Sequence, residues 1–162
     1  MREGRRQAEQ LARRDPLTGL SNRRALDETL ALEIARARRS TRPLSLVLAD
    51  LDGLKRVNDQ LGHGAGDLYL RAAARRVTES ARQGDVCFRW GGDEFAVVLP
   101  EADVDGAEQV LRRVAGVFGR LEDATLQLSC ASATLWEGAS GDDLLRRADA
   151  RLVASKRSVG TP

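Results

Sequence analysis

Apolar residues recur along the chain at two spacings, which predict helices in some segments and strands in others. Spacings of three and four residues are typical of amphipathic helices, and they occur in four groups: Leu26, Leu30, Ile34 and Ala37; Leu70, Ala73, Val77 and Ala81; Val104, Ala107, Leu111, Val114 and Phe118; and Leu144, Leu145, Ala148 and Leu152. Short β-rich runs predict strands at 44–49, 86–90, 95–99 and 126–135. Residues 54–60 are predicted to form a short helix and residues 62–66 a tight loop. This alternation predicts an α/β fold of the α+β sandwich type, in which the hairpin at 86–99 makes part of the sheet antiparallel.

The two ends of the chain differ from this patterned middle. Residues 1–14 have a helix-forming composition without an apolar stripe, which predicts a linker or signalling helix, with a frayed N-terminus as the alternative. The segment DPLTGLSN at 15–22 stops this helix and caps the next one. We therefore predict one domain over residues 15–158, followed by a short tail at 159–162.

Composition excludes several classes of function. The 26 Lys and Arg residues nearly balance the 24 Asp and Glu residues, and only three Phe, two Trp and one Tyr are present, which argues against binding of a nucleic-acid polymer. With His63 as the single histidine and Cys87 far from Cys130, neither a zinc site nor a disulfide framework is expected. No apolar run approaches the ~20 residues of a membrane span. The N-terminus also lacks the apolar stretch of a signal peptide, so we predict a cytoplasmic protein without membrane contact.

Two glycines followed by two acids, Gly91-Gly92-Asp93-Glu94, separate two of the predicted strands. The glycines predict a tight reversal with positive φ, and they leave room for a ligand that lies across the turn. Taken alone, a solvated hairpin tip with charged residues explains the same pattern.

A second acidic pattern follows the first predicted strand. Asp50 and Asp52 alternate, so an extended chain places them on one side, and Gly53 lets the following N–H groups approach a phosphate near Lys55. An N-cap with a neighbouring charge is the alternative. If the strand pairs with the hairpin, Asp50 and Asp93 converge, and a cation between them offsets their repulsion. Mg²⁺ meets this requirement and also binds phosphate oxygens.

Asn58 and Asp67 are the candidates for recognition of a base. An amide and a carboxylate together match guanine, because the carboxylate accepts from the N1–H and the exocyclic amine while the amide bonds another edge. The alternative is that Asn58 caps the short helix and Asp67 caps the next one. His63 fits a loop residue that holds the backbone better than it fits a catalyst.

In combination, these segments resemble the GGDEF domain of diguanylate cyclases. The resemblance covers about residues 13–158 and rests on motifs in matching order and spacing: DPLTGLSNRR at 15–24, DLDGLK at 50–55, Asn58, Gly62-His63, Gly66-Asp67 and RWGGDEF at 89–95. It implies a nucleotidyl-cyclase-like fold with a central five-stranded mixed sheet flanked by helices. It also implies a second-messenger enzyme, a homodimer in which two half-sites condense two GTP into cyclic di-GMP and pyrophosphate.

The same resemblance implies roles for individual residues. Asp50, the carbonyl of Leu51 and Asp93 would bind Mg²⁺, or alternatively Mn²⁺, with Glu94 assisting, and Asp93 is the candidate base for the ribose 3′-OH. Substrate contacts are implied for nine residues: Gly53, Leu54, Lys55, Asn58, His63, Asp67, Gly91, Gly92 and Lys156. Positioning and charge neutralisation would supply most of the catalysis.

An RxxD motif suggests regulation by the product. Arg82 to Asp85 ends six residues before Gly91, where the family has its product-inhibition site, and Arg113 lies in the next helix, where an auxiliary arginine is expected. Arginine forks bind phosphates and stack on guanine. A surface salt bridge is the alternative.

Two segments depart from the family pattern. Lys156 is followed by RSVGTP instead of a Gly-Arg-Asn stretch, so Gly160 stands where a second phosphate-binding cation is expected, with Arg157 as a substitute. Residues 129–133, SCASA, replace a glycine-containing strand end. We therefore carry two hypotheses: an active, product-inhibited diguanylate cyclase with an upstream sensor domain, and a weak or inactive module that binds cyclic di-GMP or GTP.

Overall fold

The computed structural model describes residues 12–122 and 124–159. The helices and strands are α1 (Arg23–Ser40), β1 (Leu44–Asp52), α2 (Leu54–Leu61), α3 (His63–Ser80), β2 (Val86–Arg89), β3 (Glu94–Pro100), α4 (Val104–Val114), β4 (Gly116–Leu121), β5 (Ala124–Thr134) and α5 (Gly141–Val159). Of the predicted linker helix at 1–14, residues 1–11 lie outside this description, and residues 12–14 form a turn that ends in a bridge between Arg14 and Ser21. The predicted tail lies outside it as well, apart from Val159, which ends α5.

The strands form a five-stranded sheet in the order β2-β3-β1-β5-β4. This confirms the predicted α+β class, but all four pairings between these strands are antiparallel, so the sheet is not mixed as predicted. Strands β1 and β2 run in the same direction, but they are not paired with each other. Strand β3 lies between them and is antiparallel to both.

Side chains along β1 alternate between two hydrophobic cores, one on each face of the sheet. One set packs with α3 and α4: Val47, Ala49 and Leu51. The other set packs with α1 and α5: Leu44, Leu46 and Leu48. The same alternation places Asp50 and Asp52 on the face covered by α1 and α5, so α5 is a helix that can contact both acids.

The apolar spacing predicts one helix over residues 104–118, but the structure divides this segment into a helix and a strand. Helix α4 ends at Val114, and Gly116, with a φ of 94°, leads the chain into β4, which contains Phe118. Phe118 packs against the same core as α4. Because burial continues across the boundary, the apolar spacing could not indicate where the helix ends.

The predicted tight loop at 62–66 is reduced to a single residue. Gly62, with a φ of 85°, ends α2, and α3 begins at the next residue, His63. Gly64 and Gly66 lie inside α3, and neither has a positive φ. The first turn of α3 is held by bonds from Ala65 N and Gly66 N to Gly62 O, at 3.1 and 3.3 Å.

Candidate functional site

Acidic residues from two segments meet at one end of the sheet because β1 pairs with β3. Asp50 lies opposite Glu94 in the antiparallel register. Leu51 N donates a hydrogen bond to Asp93 O at 2.8 Å, which fixes the turn carrying Asp93 against the end of β1. The structure therefore brings Asp50 together with the two hairpin acids.

Burial and the neighbouring negative charges raise the pKa of Asp50 and of Glu94. Burial raises the pKa of Asp50, and the charges of Asp93 and Asp52 raise it further, against the opposing effect of Lys156. Burial also raises the pKa of Glu94, with additional contributions from the charges of Asp50 and Asp93. Because burial and repulsion disfavour the anionic forms, the end of the sheet that carries Asp50, Asp52, Asp93 and Glu94, which we call the acidic edge, favours a bound cation.

Lys156 from α5 partly meets that demand. Its Nζ lies 2.7 Å from Asp50 Oδ1 and 3.3 Å from Asp52 Oδ1, and Ser129 Oγ donates to Asp52 Oδ2 at 2.6 Å. Burial lowers the pKa of Lys156, but its bonds to the two carboxylates outweigh burial and raise the pKa overall. The resemblance assigns Lys156 to phosphate, whereas the structure pairs it with the acids of β1.

The oxygen donors at this edge fit Mg²⁺. Asp50 and Asp93 supply two carboxylates, Leu51 supplies a main-chain carbonyl, and the raised pKa of Asp50 is the observation that favours a bound cation. Within residues 12–122 and 124–159, no three His, Cys, Asp or Glu side chains converge into a metal site. Mg²⁺ usually binds through one or two carboxylates and completes its shell with water and substrate phosphates, so these donors meet its needs.

The Gly91-Gly92 turn is shaped by contacts and not by unusual backbone angles. Neither glycine has a positive φ, so that prediction is wrong. A Cβ on Gly91 would overlap Glu94 Oε2 and lie 2.9 Å from Glu94 Cδ, whereas nothing lies within 4 Å of a Cβ on Gly92. Gly91 therefore makes room for the Glu94 carboxylate, and Gly92 leaves open space beside the turn.

Arg89 connects this turn to the segment before α1. Its Nη2 donates to Gly92 O at 2.6 Å, and its Nη1 donates to Asp15 Oδ1 at 3.1 Å. Asp15 Oδ2 also accepts from Thr18 N and Thr18 Oγ1 at 2.8 and 2.6 Å, and Arg89 N donates to Ser21 O at 2.8 Å. In the sequence, residues 15–22 are predicted to cap a helix and form part of the family motif, but no local pattern indicates a contact between side chains 74 positions apart.

Helix α2 begins directly after the acids of β1. Its N-cap is Gly53, with a φ of 78°, and no side chain forms a capping hydrogen bond there, so neither Asp50 nor Asp52 caps this helix. The first-turn N–H groups of Leu54 and Lys55 have no intrahelical acceptor because of their position. Such groups bind phosphate, which agrees with the role that the resemblance implies for this segment.

Asn58 presents a buried acceptor that finds no hydrogen-bond partner in the described part of the chain. The atom is Oδ1. The capping alternative is wrong for both candidate base-recognition residues, because Gly62 is the C-cap of α2 and the N-cap of α3. The Asn58 amide packs beside Gly66 of α3, and Asp67 is the next residue in that helix. His63 is exposed at the first position of α3 and not in a loop.

The RxxD motif forms an ion-paired turn before β2. Arg82 N donates to Asp85 Oδ2 at 2.9 Å and Arg82 Nε to Asp85 Oδ1 at 3.3 Å, so the salt bridge of the alternative reading is present. Arg113 Nε and Nη2 donate to Ser80 O at 3.1 and 2.9 Å, at the end of α3. A cavity of about 390 Å³ is lined by Arg82, Gln83, Gly84, Asp85, Pro100 and Glu101.

Comparison with known proteins decides the family. A family model described as the GGDEF domain of diguanylate cyclases matches residues 12–161. The chain belongs to the GGDEF domain family. This confirms the resemblance that the motifs indicate.

The curated relatives of this GGDEF domain are longer proteins. It is 39% identical over 155 residues to diguanylate cyclase DgcP of Pseudomonas aeruginosa, which covers 92% of this chain and 23% of DgcP. It is 37% identical over 150 residues to diguanylate cyclase DosC of Escherichia coli, with 88% and 33% covered. It is 36% identical over 159 residues to response regulator PleD of Caulobacter vibrioides, with 92% and 35% covered. The domain thus spans about a third or less of these relatives.

Solved GGDEF structures share the fold. The coiled coil and GGDEF domain of DgcB from Caulobacter crescentus, in complex with c-di-GMP, matches with a TM-score of 0.89 at 30% identity, covering 97% of this chain and 87% of that one. The active GGEEF domain of a diguanylate cyclase from Vibrio cholerae matches with a TM-score of 0.76 at 33% identity, covering 86% and 92%. Among the helices described here, none is both long and apolar enough to cross a membrane.

The SCASA segment at 129–133, which departs from the family pattern, contacts the acids of β1 in this GGDEF domain. Ser129, in the SCASA segment, lies opposite Asp50 in the β1–β5 register and donates its hydroxyl hydrogen to Asp52. The strand end that replaces the glycine-containing one therefore contacts the acidic edge. Gly160 lies outside the described residues.

Proposed function

We propose that this GGDEF domain supplies one half-site of a homodimeric diguanylate cyclase that condenses two GTP into cyclic di-GMP. The observation that carries the proposal is the arrangement along α2. The acids and Lys156 lie at the start of this helix, and the unpartnered acceptor of Asn58 lies about one turn further along. A nucleoside triphosphate needs a phosphate site and a base site on one surface, and the diguanylate cyclases among the relatives support the assignment.

The proposed reaction is phosphoryl transfer between two bound nucleotides. Each ribose 3′-oxygen forms a bond to the α-phosphorus of the other GTP, the bond from that phosphorus to the bridging β-phosphate oxygen breaks, and pyrophosphate leaves. Asp93 takes the 3′-OH proton. Lys55 and Lys156 balance the charge of the departing pyrophosphate, and Asn58 and Asp67 hold guanine.

Asp50, Leu51 O and Asp93 are the proposed holders of Mg²⁺, with Glu94 assisting. When bound there, the ion supplies neutralisation of phosphate charge. The protein's own contribution is position, because Leu51 N fixes the Asp93 turn and Arg89 holds Gly92 O. In this class of reaction, positioning and charge stabilisation provide most of the catalysis.

An assay of cyclic di-GMP formed from GTP and Mg²⁺, over a range of protein concentrations, tests the proposal. We expect the rate per subunit to rise with concentration, because two half-sites must meet. The Asp93→Asn variant should form no product, whereas Asp105→Asn, which removes an exposed carboxylate on α4, should retain the parent rate. Absence of product from the parent at high protein concentration contradicts the proposal.

Product inhibition at Arg82, Asp85 and Arg113 is part of the proposal. Arg82→Ala should weaken inhibition by cyclic di-GMP about tenfold or more, because a charge-assisted hydrogen bond to phosphate is lost. Arg75→Ala, at an exposed position on α3, is the matched control. If the parent turns over no GTP yet binds cyclic di-GMP in calorimetry, and binding survives Asp93→Ala, the regulatory binding module is supported instead.

A further inference from the structure

Asp52 lies at the acidic edge but has no part in the proposed reaction. The proposed holders of Mg²⁺ are Asp50, Leu51 O and Asp93. Asp52 lies on the same face of the sheet as Asp50, and its side chain is 31% exposed. A carboxylate beside a site for a polyphosphate repels the ligand, so Asp52 is unfavourable there unless it has another role.

Two hydrogen bonds fix Asp52 in place. Ser129 Oγ donates to Asp52 Oδ2 at 2.6 Å, and the Tyr69 hydroxyl donates to Asp52 O at 2.6 Å. Ser129 lies opposite Asp50 in the β1–β5 register, so its bond to Asp52 is a diagonal contact between neighbouring strands. Because Ser129 binds Oδ2, the second carboxylate oxygen, Oδ1, is left to face another partner.

That partner is Lys156. Its Nζ lies 3.3 Å from Asp52 Oδ1 and 2.7 Å from Asp50 Oδ1, and its side chain is 35% exposed. Lysine has a flexible four-carbon stem, which loses rotamer freedom when its ammonium is fixed. An ammonium has three donor hydrogens, so contacts with two carboxylates leave one for a phosphate oxygen. Lys156 can therefore bind the acids of β1 and a phosphate at the same time.

We propose that Asp52 is a positioning residue, which holds Lys156 in place before GTP binds so that the ammonium meets the phosphates without a further loss of freedom. This inference rests on the proposed function, in which Lys156 balances the charge of the pyrophosphate. Asp50 does not serve alone, because Mg²⁺ competes with Lys156 for its carboxylate. Asp52 acts through Lys156, needs no contact with the nucleotide, and is itself held by Ser129.

The mobility of the Lys156 side chain is the first test. Lys55 and Lys156 are the two lysines of the chain, so ¹³C-labelled lysine gives two ε-carbon signals in NMR, and Lys156→Gln identifies one of them. With Ca²⁺ in place of Mg²⁺, the order parameter of the Lys156 ε-carbon should fall in Asp52→Asn and in Ser129→Ala. Asp59→Asn, at an exposed position on α2, should not change it. An unchanged order parameter in Asp52→Asn overturns the inference.

Nucleotide affinity is the second test. In calorimetry with the full chain and Ca²⁺, Asp52→Asn should bind GTP about three- to tenfold more weakly than the parent, as expected when one long side chain must be immobilised on binding. GMP has no β- and γ-phosphates, so its affinity should not change. Removal of a negative charge alone would instead strengthen GTP binding, so an equal or higher GTP affinity overturns the inference.

A double variant separates positioning through Lys156 from a general effect on the fold. Asp52→Asn/Lys156→Gln should bind GTP as Lys156→Gln does, and a further loss overturns the inference. Thermal melting checks that each variant is folded. If Asp52→Asn does not fold, Ser129→Ala replaces it in the same comparisons, since it leaves the charge unchanged and should also weaken GTP binding. If the parent does not bind GTP, or binds it no more tightly than GMP, the proposed function itself fails.

Discussion

Asp15 binds Arg89, which in turn binds Gly92 O, and so connects the segment before α1 to the Gly91-Gly92 turn. Replacement of Asp15 should therefore destabilise the domain. Asp15→Asn keeps an acceptor for Thr18 N but removes the charge that faces Arg89. The side chains of Asp15 and Arg89 are only 16% and 15% exposed. After the substitution, Arg89 keeps its bond to Gly92 O but loses its anionic partner.

The expected loss of stability lies between the limits for exposed and buried ion pairs. Breaking an exposed pair costs up to about 1 kcal/mol, and removing one partner of a fully buried pair costs about 3–5 kcal/mol. For a pair that is mostly buried, we expect about 2 kcal/mol, which lowers the melting temperature of a domain this size by about 4–8 °C. Urea unfolding followed by circular dichroism measures the difference.

The dependence on pH separates the charge from other effects of the substitution. Burial alone would raise the pKa of Asp15, but hydrogen bonds from Thr18 and the bond and charge of Arg89 lower it overall. The folded-state pKa is thus below the unfolded value of about 3.9. The stabilisation is therefore present above about pH 4 and is lost as pH falls through the folded-state pKa. The gap between the parent and Asp15→Asn should narrow over that range.

Asp27→Asn is the matched control. Asp27 is exposed on α1, and no hydrogen bond or ion pair to its carboxylate occurs among the residues that the structure describes. We expect it to unfold within about 0.5 kcal/mol of the parent. The reasoning is refuted if Asp15→Asn is no less stable than Asp27→Asn at neutral pH, or if its deficit persists unchanged down to about pH 3.

Two further predictions concern the acidic edge. Tyr69 is 1% exposed, and its hydroxyl donates to Asp52 O at 2.6 Å and accepts from Gln127 N at 3.0 Å. Tyr69→Phe should therefore lower the free energy of unfolding by about 1–3 kcal/mol, measured in urea, and a loss below about 0.5 kcal/mol contradicts this. Lys156→Gln removes the ammonium 2.7 Å from Asp50 Oδ1, so the pKa of Asp50 should rise further in a carboxyl NMR titration, and an unchanged or lower value contradicts the pairing.

The parts of the site that sequence predicts correctly are those set by a single element or by neighbouring elements. Alternation along β1 places Asp50 and Asp52 on one face, and the hairpin must return beside β1 for Asp93 to approach. These relations follow from the two-residue period of a strand and from a short turn. The spacing of acids and glycines in the sequence therefore already contains much of the geometry of the acidic edge.

Other contacts have no local signal. The bond between Arg89 and Asp15 and the pairing of Lys156 with the acids of β1 join distant segments, and each depends on how helices cover the sheet. Glycine positions can also be misinterpreted from the sequence. Gly91 and Gly66 leave space for neighbouring side chains, and neither has a positive φ. Only packing reveals such space, so the sequence pattern alone suggested a positive φ at one and a loop at the other.

Different elements hold Asn58 and the turn that carries Asp93, so substitutions at the two places should have different effects. Gly53 and Asn58 lie on or beside one short helix, whose rise of about 1.5 Å per residue fixes the proposed phosphate-binding end relative to the proposed base-binding end. Asn58 also packs against Gly66 of α3. The turn with Asp93 is instead held by Leu51 N and, through Gly92 O, by Arg89. Under the proposed function, changes at Asn58 should therefore alter which nucleotide binds, whereas changes at Arg89 should slow turnover without altering that choice.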